Sequence, residues 1–160
     1  MFDPASTRYY VEFLRKLEGS RRPGAVPIEP APVHTAAEIE PVIAGVAREP
    51  GGGLIVPPNP FLGANRKLVA EAAQKHRLPS VSVSRDYAAA GGLISYGPDF
   101  NDIFRRSTHY VDRILKGASP ADLPVQTPTT YSLVVNLRAG HALGIEVAPS
   151  LVSRADEVIE

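Results

Sequence analysis

The chain has no cysteine, and its charges cancel, with 17 Lys and Arg against 17 Asp and Glu in 160 residues. The missing cysteines exclude disulfides, thiolate zinc sites and a cysteine nucleophile, but they do not identify a compartment. The balanced charge leaves no basic footprint for DNA, RNA or an anionic membrane surface, so no nucleic-acid partner is expected. No apolar run approaches the roughly 20 residues needed to span a bilayer. The first residues, MFDPASTRYY, have neither a basic n-region nor an apolar h-region, so no export signal is visible. Expressed as it stands, the chain is expected to stay in the cytoplasm.

Catalytic motifs are equally scarce. The run Gly51-Gly52-Gly53 precedes an apolar strand pattern, whereas a dinucleotide fingerprint follows one. No phosphate-cradling G-x-x-x-x-G-K-[ST] and no G-x-S-x-G elbow occurs. His34, His76, His109 and His141 fall in separate elements, without the i, i+4 spacing of a helical metal pair. They read as structural or solvated residues. Ser107, His109 and Asp112 share a helix but point to different faces, which argues against a triad. No paired acid and base emerges, so the expectation is binding without catalysis, with no metal and no cofactor. A small flavodoxin-like or nucleotide-dependent enzyme is the disfavoured alternative.

Proline is the abundant exception, with 16 in 160 residues, about twice the usual ~5%. The prolines cluster between elements, at Pro23, Pro27, Pro30, Pro32, Pro57, Pro58, Pro60, Pro120, Pro124 and Pro128 among others, which indicates stiff connections. The length suits one compact domain. Asp3-Pro4 reads as a helix cap followed by proline at the first helical position, with Tyr10, Phe13, Leu14 and Leu17 at helical spacing and Gly19 as the stop. Residues 25–33 read as a proline-broken edge strand. Thr35 and Glu38 have the spacing of a capping box ahead of Ile39, Val42, Ile43 and Val46. Residues 53–56 predict a buried parallel strand. Asn59-Pro60 repeats the cap-plus-proline device before Leu68, Val69, Ala72 and Ala73. Val81 and Val83 alternate with serines as a further strand. Leu93-Ile94 predicts another, residues 131–137 a strong one, then a short helix to Gly144 and a last helix over 150–159.

Strands alternating with helices argue for an α/β domain with a parallel sheet and helices on both faces. Such sheets bind ligands beyond the carboxyl ends of their strands. That places candidate ligand contacts in the loops 57–61, 84–88 and 95–100: Asn59, Phe61, Tyr87, Tyr96, Gly97 and Asp99. The bland readings stay open. Asp99 caps the helix that begins at Phe100 as readily as it meets a ligand, Asn59 has the same duality, and Tyr96 could pack internally. The stretch ISYGPDF can be a ligand mouth, an ordinary strand-to-helix turn or a seam with another domain. The helix behind it carries an apolar face of Phe100, Ile103, Phe104, Val111, Ile114 and Leu115 and closes at Gly117. The α/β pattern also starts on a helix with no strand before it, and Met1-Phe2 look like the last residues of such a strand.

Residues 91–160 carry "SYG-x-D", "YVD-x-ILKG", "ADLPV", "LVxNL", "ALG" and "RADEVIE" in order, and "MFDP" and "EPGGGLIVPPNPF" match more loosely upstream. With those motifs the chain resembles ABC-transporter substrate-binding proteins of the tryptophan/tyrosine-permease type. The resemblance implies the type I periplasmic-binding-protein fold, two Rossmann-like lobes joined by a hinge with ligand between them, in proteins about twice this length. It implies that this chain is the C-terminal lobe only, a Rossmann-like three-layer sandwich with a mostly parallel sheet. Residues 1–92 would be the second-lobe core, 93–117 the crossover turn and seam helix, and 118–160 the return strand and C-terminal helices.

By the same resemblance Asp3, Asn59, Tyr96, Gly97 and Asp99 would meet a small organic ligand such as an aromatic amino acid. The setting would be periplasmic, with an ABC permease as partner. The sequence departs from the family at SRDYAAA and at Gly140. The face from Phe100 to Leu115 would be built to press on a first lobe. Burying a Phe or Ile contributes roughly 1.5–3 kcal/mol, so that face predicts a homodimer, a domain swap or a separate first-lobe chain. The alternative function is a structural or interaction protein that dimerises through this helix.

Overall fold

The computed structural model describes residues 1–19 and 26–160. Helices α1 (Tyr9–Gly19) and α2 (Ala36–Val46) precede β1 (Leu54–Val56), α3 (Pro60–Ala64), α4 (Arg66–Lys75), β2 (Ser80–Ser82) and α5 (Arg85–Ala89). The chain continues through β3 (Ile94–Pro98), α6 (Phe100–Leu115), β4 (Tyr131–Asn136), α7 (Leu137–Leu143), α8 (Pro149–Val152) and β5 (Glu157–Ile159). The five strands lie in chain order in one sheet. Three junctions are parallel, and β3 and β4 run antiparallel. The α/β class and the predominance of parallel pairing match the sequence expectation. The antiparallel step between β3 and β4 fits a mostly parallel sheet and arises because α6 returns the chain beside the strand it left.

Leu54 and Val56 face inward and Ile55 stays exposed, so β1 alternates although its sequence is uniformly apolar. Across the sheet the buried positions of β2 are Ser80 and Ser82, not Val81. The main core joins these strands to Ile39 and Ile43 of α2 and to Val69, Ala70 and Ala72 of α4, and α2 packs directly on α4. A smaller cluster of Leu93, Ala139 and Leu143 sits under α7. Met1 and Phe2 form no strand of the five-stranded sheet, although they lie against it. Phe2 bridges Pro32 in parallel, and the Met1 ammonium donates to the Ile55 carbonyl at 2.8 Å.

Several local expectations are corrected. The first helix begins at Tyr9, because Asp3 closes a tight turn over residues 4–6. Of the strand expected over 25–33, Ala25 lies outside the described residues and only Pro32 pairs; Pro27, Pro30 and Pro32 have no N–H to give a ladder. The Thr35 side chain makes no cap bond, and Glu38 instead accepts from the His34 N–H at 2.8 Å. The helix opened by Asn59 is broken at Asn65 into α3 and α4. Residues 157–159 are a strand pairing with β4, not helix, and the arginine fork of Arg85 clamps Glu157 at 2.6 Å on both oxygens, tying α5 to this edge.

The largest correction concerns ISYGPDF. Ser95 to Pro98 form no turn; they continue β3, in five pairs with β4 from Ile94–Val135 to Pro98–Tyr131. Only Ile94 and Ser95 are also backed by β2. Beyond them the two strands run on as a ribbon carrying α6 and the return segment 118–130. No residue of α6 is buried. Phe100, Phe104, Val111, Ile114 and Leu115 are all exposed, and Leu115 is 82% accessible. Ile103 is half-covered, because it shares with Ile114 a groove of about 400 Å³ closed by Leu123, Pro124 and Pro128.

Candidate functional site at the carboxyl edge of the sheet

Asp3 stands directly after Phe2, which bridges Pro32. Its Oδ1 accepts from the Ala5 N–H at 2.9 Å, and its Oδ2 accepts from the Ser6 N–H at 3.2 Å and the Ser6 hydroxyl at 2.6 Å. The Ser6 hydroxyl bond, and behind it the Ala5 N–H, hold the Asp3 carboxyl below its ordinary value. The Thr7 hydroxyl donates to the Asp3 carbonyl at 2.7 Å. The turn is therefore locked by its own Asp, Ser and Thr side chains.

Asn59, after β1, completes this network. Its Oδ1 accepts from the Leu62 N–H at 3.0 Å, the expected helix cap. Its Nδ2 donates to the Ser6 hydroxyl at 3.1 Å and the Thr7 hydroxyl at 3.0 Å. An amide nitrogen has two hydrogens, so Asn59 has no donor left for a ligand. Asn59 thus positions the Asp3 turn against β1, and of the ligand contact expected of it no donating part is left. Tyr10 adds a further tie, its hydroxyl donating to the Pro58 carbonyl at 2.9 Å. Burial, then its bond to Tyr9, pushes its titration well above the ordinary tyrosine range. Phe61 is half-buried and packs on the main core.

Tyr87 is not at the ligand edge. It is 1% accessible, its hydroxyl donates to Ser80 Oγ at 2.7 Å, and burial pushes its pKa up to about 12. The ring lies over Gly92, where an added Cβ would stand 2.1 Å from a ring carbon. Tyr87 is a core residue whose polar tip is satisfied by a buried serine. Gly97 is likewise explained without a ligand, since a Cβ there would sit 2.2 Å from the Val83 carbonyl oxygen. Only glycine lets β3 pass so close to the chain leaving β2.

Asp99 caps α6, accepting from the N–H groups of Asn101 at 2.8 Å and Asp102 at 3.2 Å. Tyr96 remains open. It is 56% accessible and stacks on Tyr131 with ring centroids 5.8 Å apart and planes 25° from parallel. Sequence reading passed over Ser6, Thr7 and Tyr131. The hydroxyls in DPAST were the available signal for the first two, and Tyr131 was visible as an aromatic opening a β-run.

Among the described residues no cluster of three or more His, Asp or Glu could hold a metal, and no helix is long and apolar enough to cross a membrane. The arrangement places a polar turn, a capped helix start and a pair of half-exposed rings at strand ends.

Comparison with known proteins adds the following. The family described as ABC transporter substrate binding protein matches residues 9–159. No curated protein sequence matches. Among solved structures, a conserved domain protein from Vibrio cholerae O1 biovar eltor is similar with a TM-score of 0.84 at 22% identity, covering 98% of this chain and 52% of that one. An ABC domain in complex with L-Trp from Streptococcus pneumonia is similar with a TM-score of 0.81 at 24% identity, covering 99% and 53%. The ligand-free, open form of a substrate binding protein with adhesive properties from Clostridium difficile has a TM-score of 0.69 at 20% identity, covering 100% and 52%. The chain spans about half the length of these structures.

Proposed function

From the premise that the chain belongs to the ABC transporter substrate binding protein family, we propose that it is the C-terminal lobe of a type I, two-lobed solute receptor that binds without catalysis. Delivery to an ABC permease outside the cytoplasm, as in the tryptophan/tyrosine-permease type, belongs to the same proposal. The observation that carries it is the carboxyl edge. The Asp3 turn, Asn59 and the Asp99 cap stand at strand ends, with the open ring of Tyr96 beyond β2. Asp3 and Asp99 retain unshared carboxylate lone pairs for a cationic group, Phe61 and Tyr96 supply apolar surface, and Asn59 and Gly97 hold this frame. The neighbour bound to L-Trp makes aromatic amino acids the first ligands to test.

A two-lobed clamp buries its ligand from both sides, so a single lobe supplies about half of the contacts. Calorimetry with a panel of amino and organic acids, on the chain alone and with a supplied first lobe, tests the reading. Tight binding is expected for the pair and weak binding for the lone chain. A reconstituted pair that binds nothing in the panel overturns it.

A second reading is favoured by α6, none of whose residues is buried. The exposed face from Phe100 to Leu115 would serve a homodimer in place of a first lobe. Mass that rises with concentration, and an Ile103→Asp variant that stays monomeric, are then expected. A monomer at high concentration removes that reading.

A further inference from the structure

The pairing of β3 with β4 sets Tyr96 opposite Leu133 and Pro98 opposite Tyr131. Directly paired residues, and residues two apart on one strand, share a face of the sheet. Tyr96, Pro98, Tyr131 and Leu133 are therefore one patch, and the two rings meet on its diagonal. β2 ends opposite Ser95, so the patch begins just past the carboxyl end of the parallel strands, at the level where Asn59 leaves β1.

Two features separate this patch from ordinary cross-strand packing. Both rings remain about half accessible, Tyr96 at 56% and Tyr131 at 50%, although they stack on each other. Neither hydroxyl has a hydrogen-bond partner among the described residues, whereas Tyr10, Tyr87 and Tyr110 each donate to a protein oxygen. The rings are held 25° from parallel and stay half exposed as a pair. Aromatic rings favour offset stacking on such a surface.

We propose that Tyr131 joins Tyr96 in a ring-stacking floor that selects ligands bearing a flat aromatic group. The proposal rests on the reading of the carboxyl edge as the ligand edge, and it adds a specificity-determining residue to it. The Asp99 carboxylate follows Pro98 directly and supplies an anionic group beside the patch, so an amine-bearing aromatic such as a free aromatic amino acid is the ligand class. Tyr131 acts through its ring, because its hydroxyl is directed to no protein group.

The chain contains no tryptophan, so emission excited at the red edge of indole absorption comes from an L-tryptophan probe alone. Its anisotropy, titrated with the chain, reads binding directly, and displacement by L-leucine reads the non-aromatic affinity. Tyr131→Ala is expected to lower the ratio of L-tryptophan to L-leucine affinity about tenfold, the scale of one aromatic contact. Tyr131→Leu should behave like Ala, since it restores apolar bulk without a ring. Tyr131→Phe should restore most of the ratio. Far-UV circular dichroism checks that each variant is folded.

L-tryptophan binding with an unchanged ratio in Tyr131→Ala overturns the floor and leaves the receptor reading standing. Binding of L-leucine but not L-tryptophan by the unaltered chain does the same. Failure of the unaltered chain to bind any amino or organic acid, alone and with a supplied first lobe, overturns both.

Discussion

Helices α2 and α6 each carry an apolar stripe, and the molecule treats them oppositely. Ile39 and Ile43 of α2 are fully buried against α4 and the sheet, whereas α6 leaves Phe104 at 69% and Leu115 at 82% accessible. The difference lies in what the chain supplies opposite each stripe. α2 packs on α4 and shares the main core with β1; among the described residues, the side-chain ties of α6 run to the return segment, along one flank. Amphipathic periodicity shows that a face is suited to burial, and whether it is buried depends on a second surface. In α6 that surface is not among the described residues.

The most direct way to break this comparison is to truncate one side chain on each helix. Ile43→Ala is expected to destabilise the chain by about 2–5 kcal/mol, the range for a fully buried branched side chain. Phe104→Ala should change stability by less than about 0.5 kcal/mol, as at an exposed site. Denaturant unfolding at low protein concentration reads both. A Phe104 effect equal to that of Ile43 would mean that α6 is covered in solution. If the Phe104 effect appears only as concentration rises, the cover is a second copy.

The next effect belongs to the core side alone. Met1 is 7% accessible, and burial lowers the pKa of its ammonium from 8.0 to about 6 while it donates to the Ile55 carbonyl. Between those values the unfolded chain binds more protons than the folded one, so stability rises with pH through that window. Below about pH 6 the charged amine is desolvated at full cost, and above 8.0 it is neutral in both states. At roughly 1.4 kcal/mol per unit the gain reaches at most about 2–3 kcal/mol. Melts of the 160-residue chain at pH 6 and pH 8, with and without Nα-acetylation, separate this group from the histidines. A rise that survives acetylation assigns the effect elsewhere.

A smaller effect is expected from Tyr87→Phe, which removes the bond to Ser80 and leaves a buried hydroxyl without its partner. The loss should be about 1–3 kcal/mol. Ligand affinity should be unchanged, because Tyr87 lies in the core and not at the carboxyl edge. A fall in affinity at unchanged stability would return Tyr87 to the ligand site and contradict its burial.

The sequence was legible where the cause is local. The Asn59 and Asp99 caps, the α2 and α6 stripes and the glycines ending α6 and α7 depend on neighbours within a turn or two, and they are present. It misled where the cause is distant. Gly97-Pro98 has turn chemistry, but Gly97 is required by a backbone approach from Val83. Residues 157–159 read as helix until β4 is beside them. The donors of Asn59 end on hydroxyls about 50 residues away, and nothing nearby in sequence announces that they are used up. The Tyr96–Tyr131 stack was hidden for the same reason, since it exists only once β3 runs past its expected end.

The return segment 118–130 offers the finest test of the comparison, because it alone decides whether α6 and its flank move as one piece. It makes no strand, and side chains hold it to the helix. Arg106 donates from Nη1 to Thr129 Oγ1 at 2.7 Å and from Nη2 to Gln126 Oε1 at 3.0 Å, and the Tyr110 hydroxyl donates to the Pro124 carbonyl at 2.6 Å. Exposed polar ties of this kind contribute about 0–1 kcal/mol, so Arg106→Ala should leave the unfolding midpoint nearly unchanged. Its effect should instead be local. Val125 is 99% accessible and the chain has no cysteine, so a spin label on Val125→Cys reports on this segment alone. Removing Arg106 in that background should sharpen the label's spectrum while a label on α4 is unaffected. An unchanged spectrum would show that Tyr110 and the prolines suffice to fix the segment. The exposed stripe of α6 would then be a rigid surface even without cover, ready to meet a partner with little loss of conformational freedom.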